Sequence, residues 1–319
     1  MGFDTIHFSL SADEAKVGNF FEELPLWASL DNLQEVKSKD GNTCFFCGYL
    51  QGEGKSHYRV YVNSQHVTIG KCSLAKWHLG NNVEELDRKE TRRAIERMSD
   101  LLHLPIDEAN IKRMDFAVNI FVKYPVEVYL NHFGDLSRYN KKEQDKGIYY
   151  TQTKRQYVIY DKIAEQRRKK SEIPELYKGK NLLRIEHRYE NLRAFKGEFG
   201  IVRGETLYNE AFYNVLLKGW RDLYYSIQKI NDVVINFGSM GKMKDFERMA
   251  YLAFIEKAGG YDEMLKQIKE AQKKNTIDKN LAYDIRKKLK EAITANNVLV
   301  YDDSIKELDN KVKMAVKFY

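Results

Sequence analysis

The chain has 319 residues, 43% hydrophobic and 31% charged with only 4 prolines, which excludes a disordered polymer and suffices for one large domain or two ordinary ones. Lys and Arg number 53 against 46 Asp and Glu, a formal net charge of +7 that permits a polyanionic partner without requiring one. No apolar run reaches the length of a membrane span, and the opening MGFDTIHFSL lacks a charged-then-apolar leader, so the expected compartment is the cytoplasm, with no membrane partner.

In chain order, the first signal is CFFC at Cys44 and Cys47. No second ligand pair follows at similar spacing, so these and Cys72 are expected to be buried thiols rather than a zinc knuckle. Residues 58–63, 66–70 and 114–122 are rich in Val, Ile, Phe and Tyr and predict strands. Residues 84–102 place Leu86, Ile95, Met98, Leu101 and Leu102 among charges, as an amphipathic helix does. A short helix is expected over 126–133, a strand over 154–162, a basic helix over 163–170 and a last strand over 182–189. After Gly204 the apolar spacing becomes helical, predicting helices over 205–234, 244–259, 262–274 and 278–296. The expected fold class is therefore α+β: an antiparallel-sheet domain over 1–204, then a mainly helical accessory domain over 205–319. That second part would serve partner recognition or self-association. No internal repeat is visible.

Period-two alternation sorts the polar residues of three strands onto single faces. RMDFAVNIF puts Arg113, Asp115, Ala117 and Asn119 together, and LLRIEHRYE does the same for Arg184, Glu186, Arg188 and Glu190, with His187 opposite. RQYVIYDK puts Val158, Tyr160 and Lys162 on one face. Any half-exposed strand alternates in this way. A carboxylate flanked by arginines stays ionised, however, and Asp115 with Glu186 could hold a hard divalent cation. A tyrosine, with an ordinary pKa of about 10, needs such help to act as a nucleophile. A cation on a phosphate and an ammonium such as Lys162 would both supply it.

In these blocks the chain resembles the gene II/gene X family of phage and plasmid replication proteins. The likeness runs through HVTIGKCSLAKWHLGNNVEEL (with Ser73, Lys76, Gly80 and Asn82), ANIKRMDFAVNIF, RQYVIYDKIAEQ and LLRIEHRYENLRAF, in that order. It implies a rolling-circle initiator that nicks one strand of its origin, keeps the 5′-phosphate on tyrosine and later rejoins the strand. Tyr160 is then the nucleophile with Lys162 and Glu165 beside it, and Asp115 and Glu186 hold Mg2+ or Mn2+. Lys76, Asn82, Arg113, Arg184 and Arg188 would contact DNA. The implied partners are origin DNA, duplex and single-stranded, with a host helicase, a polymerase and a second copy of the chain as further candidates. In contrast to many rolling-circle nickases, no two histidines here are separated by one residue. A conjugative relaxase, a non-catalytic origin-binding regulator and an RNA-binding scaffold are the alternative readings.

Overall fold

The computed structural model describes residues 1–41, 43–144, 146–229, 242–294 and 303–317. Its strands are β1 (Gly2–Ser11), β2 (Asp31–Lys37), β3 (Thr43–Gln51), β4 (His57–Val62), β5 (His66–Gly70), β6 (Asn110–Val122), β7 (Asn140–Gln144), β8 (Gly147–Gln152), β9 (Arg155–Asp161) and β10 (Asn181–Tyr189). They form one ten-stranded antiparallel sheet in the order β2-β3-β4-β5-β1-β6-β10-β9-β8-β7. The order contains a repeat that the residues conceal. In each half a central strand (β1 or β6) is followed by the outermost strand, and the chain then meanders inward until a fifth strand lies beside the first. Because winding rather than residue identity is duplicated, the sequence shows no period.

The helices are α1 (Ala12–Ala15), α2 (Leu24–Ala28), α3 (Leu74–Leu79), α4 (Arg88–Leu102), α5 (Val126–Leu130), α6 (Lys162–Arg168), α7 (Lys196–Phe199), α8 (Glu210–Ser226), α9 (Met243–Lys257), α10 (Tyr261–Lys273), α11 (Lys279–Thr294) and α12 (Asp303–Lys317). Local chemistry sets their ends. Ser73 caps α3, which stops at Gly80 with φ 80°, a left-handed turn that glycine takes without penalty. Asp87 caps α4 by accepting from the Glu90 N–H at 2.8 Å, so that helix starts four residues later than its apolar spacing predicts. Among the described residues no helix is long and apolar enough to cross a membrane.

Two compact units result. The first comprises Met1–Leu130, Leu136–Ser226 and Asn310–Tyr319, the second Asn131–Asp135 and Ile227–Asp309. The change of texture near residue 204 marks where strands give way to helices, but the sheet-bearing unit runs on to Ser226. The expected helix over 205–234 is a 3-10 turn (Glu205–Tyr208) followed by α8, and residues 230–234 lie outside the described residues, as do 295–296 of the expected 278–296 helix. Helix α8 stays with the sheet because its aromatic stripe is part of the core. Trp220 Nε1 donates to the Ile185 carbonyl at 3.2 Å, Tyr157 Oη donates to the Trp220 carbonyl at 2.9 Å, and Tyr213 Oη donates to the Met1 carbonyl at 2.6 Å. At the other end of the sheet Trp77 of α3 donates to the Leu50 carbonyl at 3.2 Å. One sheet face is thus packed against helices, and the polar set lies on the other. In the second unit Ile255, Met264, Ile268, Ala282 and Leu289 of α9, α10 and α11 form a core of their own.

Candidate active site

The register joins the three polar strand faces into one. Asp115 of β6 lies opposite Arg188 of β10, and Ala117 lies opposite Glu186. On the other side of β10, Glu186 faces Val158 and Arg184 faces Tyr160 of β9. Gly147 of β8 in turn lies opposite Tyr160, and a Cβ there would come within 2.8 Å of the Tyr160 Cβ. That glycine leaves the space beside the tyrosine open. A cleft of about 560 Å³ occupies it, lined by Gly147, Tyr149, Tyr160, Glu165, Lys169 and Arg188 among others.

Asp115 and Glu186 are both 2% exposed. Arg113 grips Asp115 through Nε at 3.1 Å and Nη2 at 2.8 Å, and Arg188 grips Glu186 through the same two atoms at 3.1 and 2.7 Å. Burial nevertheless pushes the Asp115 carboxyl up to about 6, and the nearby Glu186 charge adds to the rise against Arg113. At Asp115 desolvation and the neighbouring Glu186 charge outweigh the arginines, which is the donor chemistry that a hard cation relieves. Among the described residues no three His, Cys, Asp or Glu gather as a metal cage. Any cation here would rely on these two carboxylates, with phosphate and water completing its shell. His187 faces the core, its Nδ1 2.7 Å from Tyr189 Oη, and burial lowers its pKa to about 3.

Lys162 does not continue the β9 alternation. The strand stops at Asp161, whose carboxylate accepts from the Ala164 N–H at 2.8 Å and starts α6. Lys162 is the first residue of that helix and is turned fully inward. Its Nζ lies 2.8 Å from Glu165 Oε2 and 5.9 Å from the centre of the Tyr160 ring. Burial and then Arg184 pull its ammonium down to about 8. Burial pushes Glu165 up, yet Lys162 and Lys169 outweigh it and hold the carboxyl at about 2. The Tyr160 hydroxyl is raised well above its usual value by burial, then by Glu186, while Arg184 works in the opposite direction.

Two expected DNA contacts, Arg184 and Asn82, are engaged inside the protein, and a third, Lys76, is half-buried. Arg184 is 2% exposed, pairs with Asp4 at 2.7 Å and donates to the Asn82 carbonyl at 2.9 Å. It is enclosed beside Tyr160 on the same face rather than offered to DNA. Asn82 also accepts from Gln166 at 3.1 Å, tying its loop to α6. Lys76 is half-buried on α3, a helix anchored by Trp77 to the packed side of the sheet. Arg113 and Arg188 remain partly exposed, at 33% and 24% of their side chains. Arg168 and Lys169 of the basic run line the cleft. Of the cysteines only Cys47 is buried. Cys44 is exposed and Cys72 intermediate, correcting the expectation of three buried thiols. An odd separation along a strand sends Cys44 and Cys47 to opposite faces.

Asp4 is the functional-site residue that sequence reasoning missed. It lies at the β-bulge of β1 between Phe3 and Ile6, where the strand breaks its alternation. Burial pushes its carboxyl up, but Arg184 first and then Lys162 bring it down to about 2. Gly147 was missed as well. Its signal, a glycine opening a Tyr-rich strand, is visible only once β8 is paired with β9.

Residues 53–203 match the family model described as replication-associated protein G2P N-terminal. No curated protein matches. The matched stretch contains Tyr160, Lys162, Glu165, Asp115, Glu186 and both partly exposed arginines, whereas Asp4 precedes it. Over residues 53–203 the chain is thus similar to the N-terminal part of replication-associated protein G2P, which is consistent with a phage replication initiator of the gene II family.

Proposed function

We propose that this chain is a replication initiator acting as an origin-specific, metal-dependent nicking-closing enzyme with Tyr160 as its nucleophile. The observation that carries the reading is the position of Tyr160: on the wall of a cleft that also presents Glu165, Lys169 and Arg188, with Lys162 beside the ring. In the nicking step Tyr160 Oη gives up its proton and bonds to the scissile phosphorus. The bond to the 3′-oxygen breaks, leaving a 3′-hydroxyl and a 5′-phosphotyrosine. Attack by a 3′-hydroxyl on that linkage reverses the step and rejoins the strand. Burial opposes the phenolate, so the Lys162 ammonium and the Arg184 guanidinium supply the offsetting positive charge. Glu165 orients Lys162, and Arg188 and Arg113 reach the phosphate from the edge of the acidic pair. Asp115 and Glu186 would hold Mg2+ or Mn2+, which supplies charge neutralisation at the phosphate when bound.

A supercoiled plasmid carrying the cognate origin tests the reading. Conversion to open circle by the full chain with Mg2+ or Mn2+ is expected. Binding without conversion under any divalent cation would favour the non-catalytic regulator instead. A host helicase and polymerase would act on the freed 3′-end, and a second copy of the chain could serve the rejoining step.

A further inference from the structure

The face that carries Tyr160 does not end at β6. His7 of β1 lies opposite Arg113, Ser9 opposite Thr68 of β5, Tyr61 of β4 opposite Thr68, and Cys47 of β3 opposite Tyr61. Every one of these positions shares the Tyr160 face, because directly paired residues point the same way. From β3 to β5 this face is aromatic and basic, and Asp31 of β2, opposite Tyr49, borders it. Tyr61 is half-exposed, with the Arg59 guanidinium 5.1 Å and the Lys71 ammonium 5.7 Å from its ring centre. The Phe45 ring centre is 6.0 Å away, and Tyr49 packs edge-on against His57 at 4.8 Å. Lys71 also links this patch to the active site. Its backbone N–H donates to His7 Nε2 at 3.3 Å, and burial, then Arg113 and Lys71, lower the pKa of that histidine.

Cross-strand aromatic pairs occur in any sheet, but in a core they are covered. Here Tyr61, Arg59 and Tyr49 are half-exposed, Lys71 is exposed, and no acidic side chain occupies the β3, β4 and β5 positions on this face. Aromatic rings interleaved with cations form a surface for unpaired bases, whose rings stack and whose phosphates need counter-charge. Resting on the nicking assignment above, we propose that this half of the sheet is a stacking track for single-stranded DNA running to or from Tyr160, built from Phe45, Tyr49, Arg59, Tyr61 and Lys71. From β4 to β9 it spans five inter-strand steps, about 24 Å. Continuity with the Tyr160 face and charge complementarity select single-stranded DNA as its occupant.

The test is fluorescence anisotropy of labelled oligo(dT) with the full chain. Replacing Tyr49 and Tyr61 together by Ala should weaken binding by roughly tenfold or more. Arg59→Ala with Lys71→Ala should also reduce the slope of log affinity against log salt by roughly 1.4, as loss of two phosphate contacts on a single strand requires. Bromodeoxyuridine-substituted oligo(dT) should cross-link within residues 45–71. Both pairs alter exposed or half-exposed side chains, and unchanged thermal melting verifies their folding. Unchanged affinity and salt slope in both pairs overturns the track, as does cross-linking wholly outside residues 45–71. Tyr160→Phe should bind oligo(dT) like the parent, so failure of the nucleophile assignment, read from adduct formation, is separable from failure of the track.

Discussion

The Asp4 carboxylate and the Arg184 guanidinium meet at 2.7 Å with 8% and 3% of their side chains exposed, joining the first strand of the chain to the strand paired with that of Tyr160. Breaking such a pair leaves a charge buried without compensation. Asp4→Asn should therefore destabilise the fold by roughly 3 kcal/mol or more in chemical denaturation. It should also lower nicking, since Arg184 would lose its anchor opposite Tyr160. A variant as stable as the parent would remove Asp4 from the site's support.

Asp115 carries the opposite sign. Its folded pKa of about 6 lies above the ordinary 3.8, so the fold opposes its ionisation. That penalty is fully present above pH 6 and absent below 3.8. Asp115→Asn should be at least as stable as the parent at pH 7, while nicking falls by orders of magnitude and its metal titration is altered. Parental nicking should rise through pH about 6 as the carboxylate forms. An Asp115→Asn variant with the parent's metal titration would contradict the carboxylate site.

Glu165 is held at about 2 against an ordinary 4.5, so its contribution to stability is present above pH 4.5 and lost as pH falls toward 2. The shift corresponds to about 3 kcal/mol at most. The stability difference between the parent and Glu165→Gln should shrink over that window in acid titrations followed by circular dichroism. A constant difference would show that Lys162 and Lys169 do not stabilise this carboxylate.

Much of this was legible in the sequence, for a physical reason. Strand alternation has a period of two, so Arg113, Asp115, Arg184, Glu186 and Arg188 could be assigned to faces before any pairing was known, and His187 to the core. The rest depends on contacts that no local pattern contains. Asp4 meets its partner 180 positions away, and the space left by Gly147 exists only beside Tyr160. Lys162 departs from alternation because Asp161 starts a helix there. The texture change near 204 was real, but texture does not reveal that α8 buries Tyr213 and Trp220 against the sheet.

That packing has a direct consequence. A chain ending at Gly204 removes Phe212, Tyr213, Leu216 and Trp220 from the core, each costing roughly 3 kcal/mol or more. It should lose its cooperative thermal transition. A chain ending at Ser226 keeps that helix and loses only Asn310–Tyr319 of the first unit, so it should keep one and still cleave a single-stranded oligonucleotide bearing the nick site. Equal folding of the two truncations would show that α8 is dispensable to the sheet.

In the nicking step Tyr160 Oη should become bonded to DNA. The full chain is incubated with Mg2+ or Mn2+ and an end-labelled single strand carrying the nick site, then denatured and separated by electrophoresis. The parent should yield a denaturation-resistant protein–DNA adduct, with the phosphate mapped to the Tyr160 peptide by mass spectrometry. Tyr160→Phe, which removes only the hydroxyl, should bind the same strand and give no adduct. An adduct formed by Tyr160→Phe at the parent's yield would contradict the assignment.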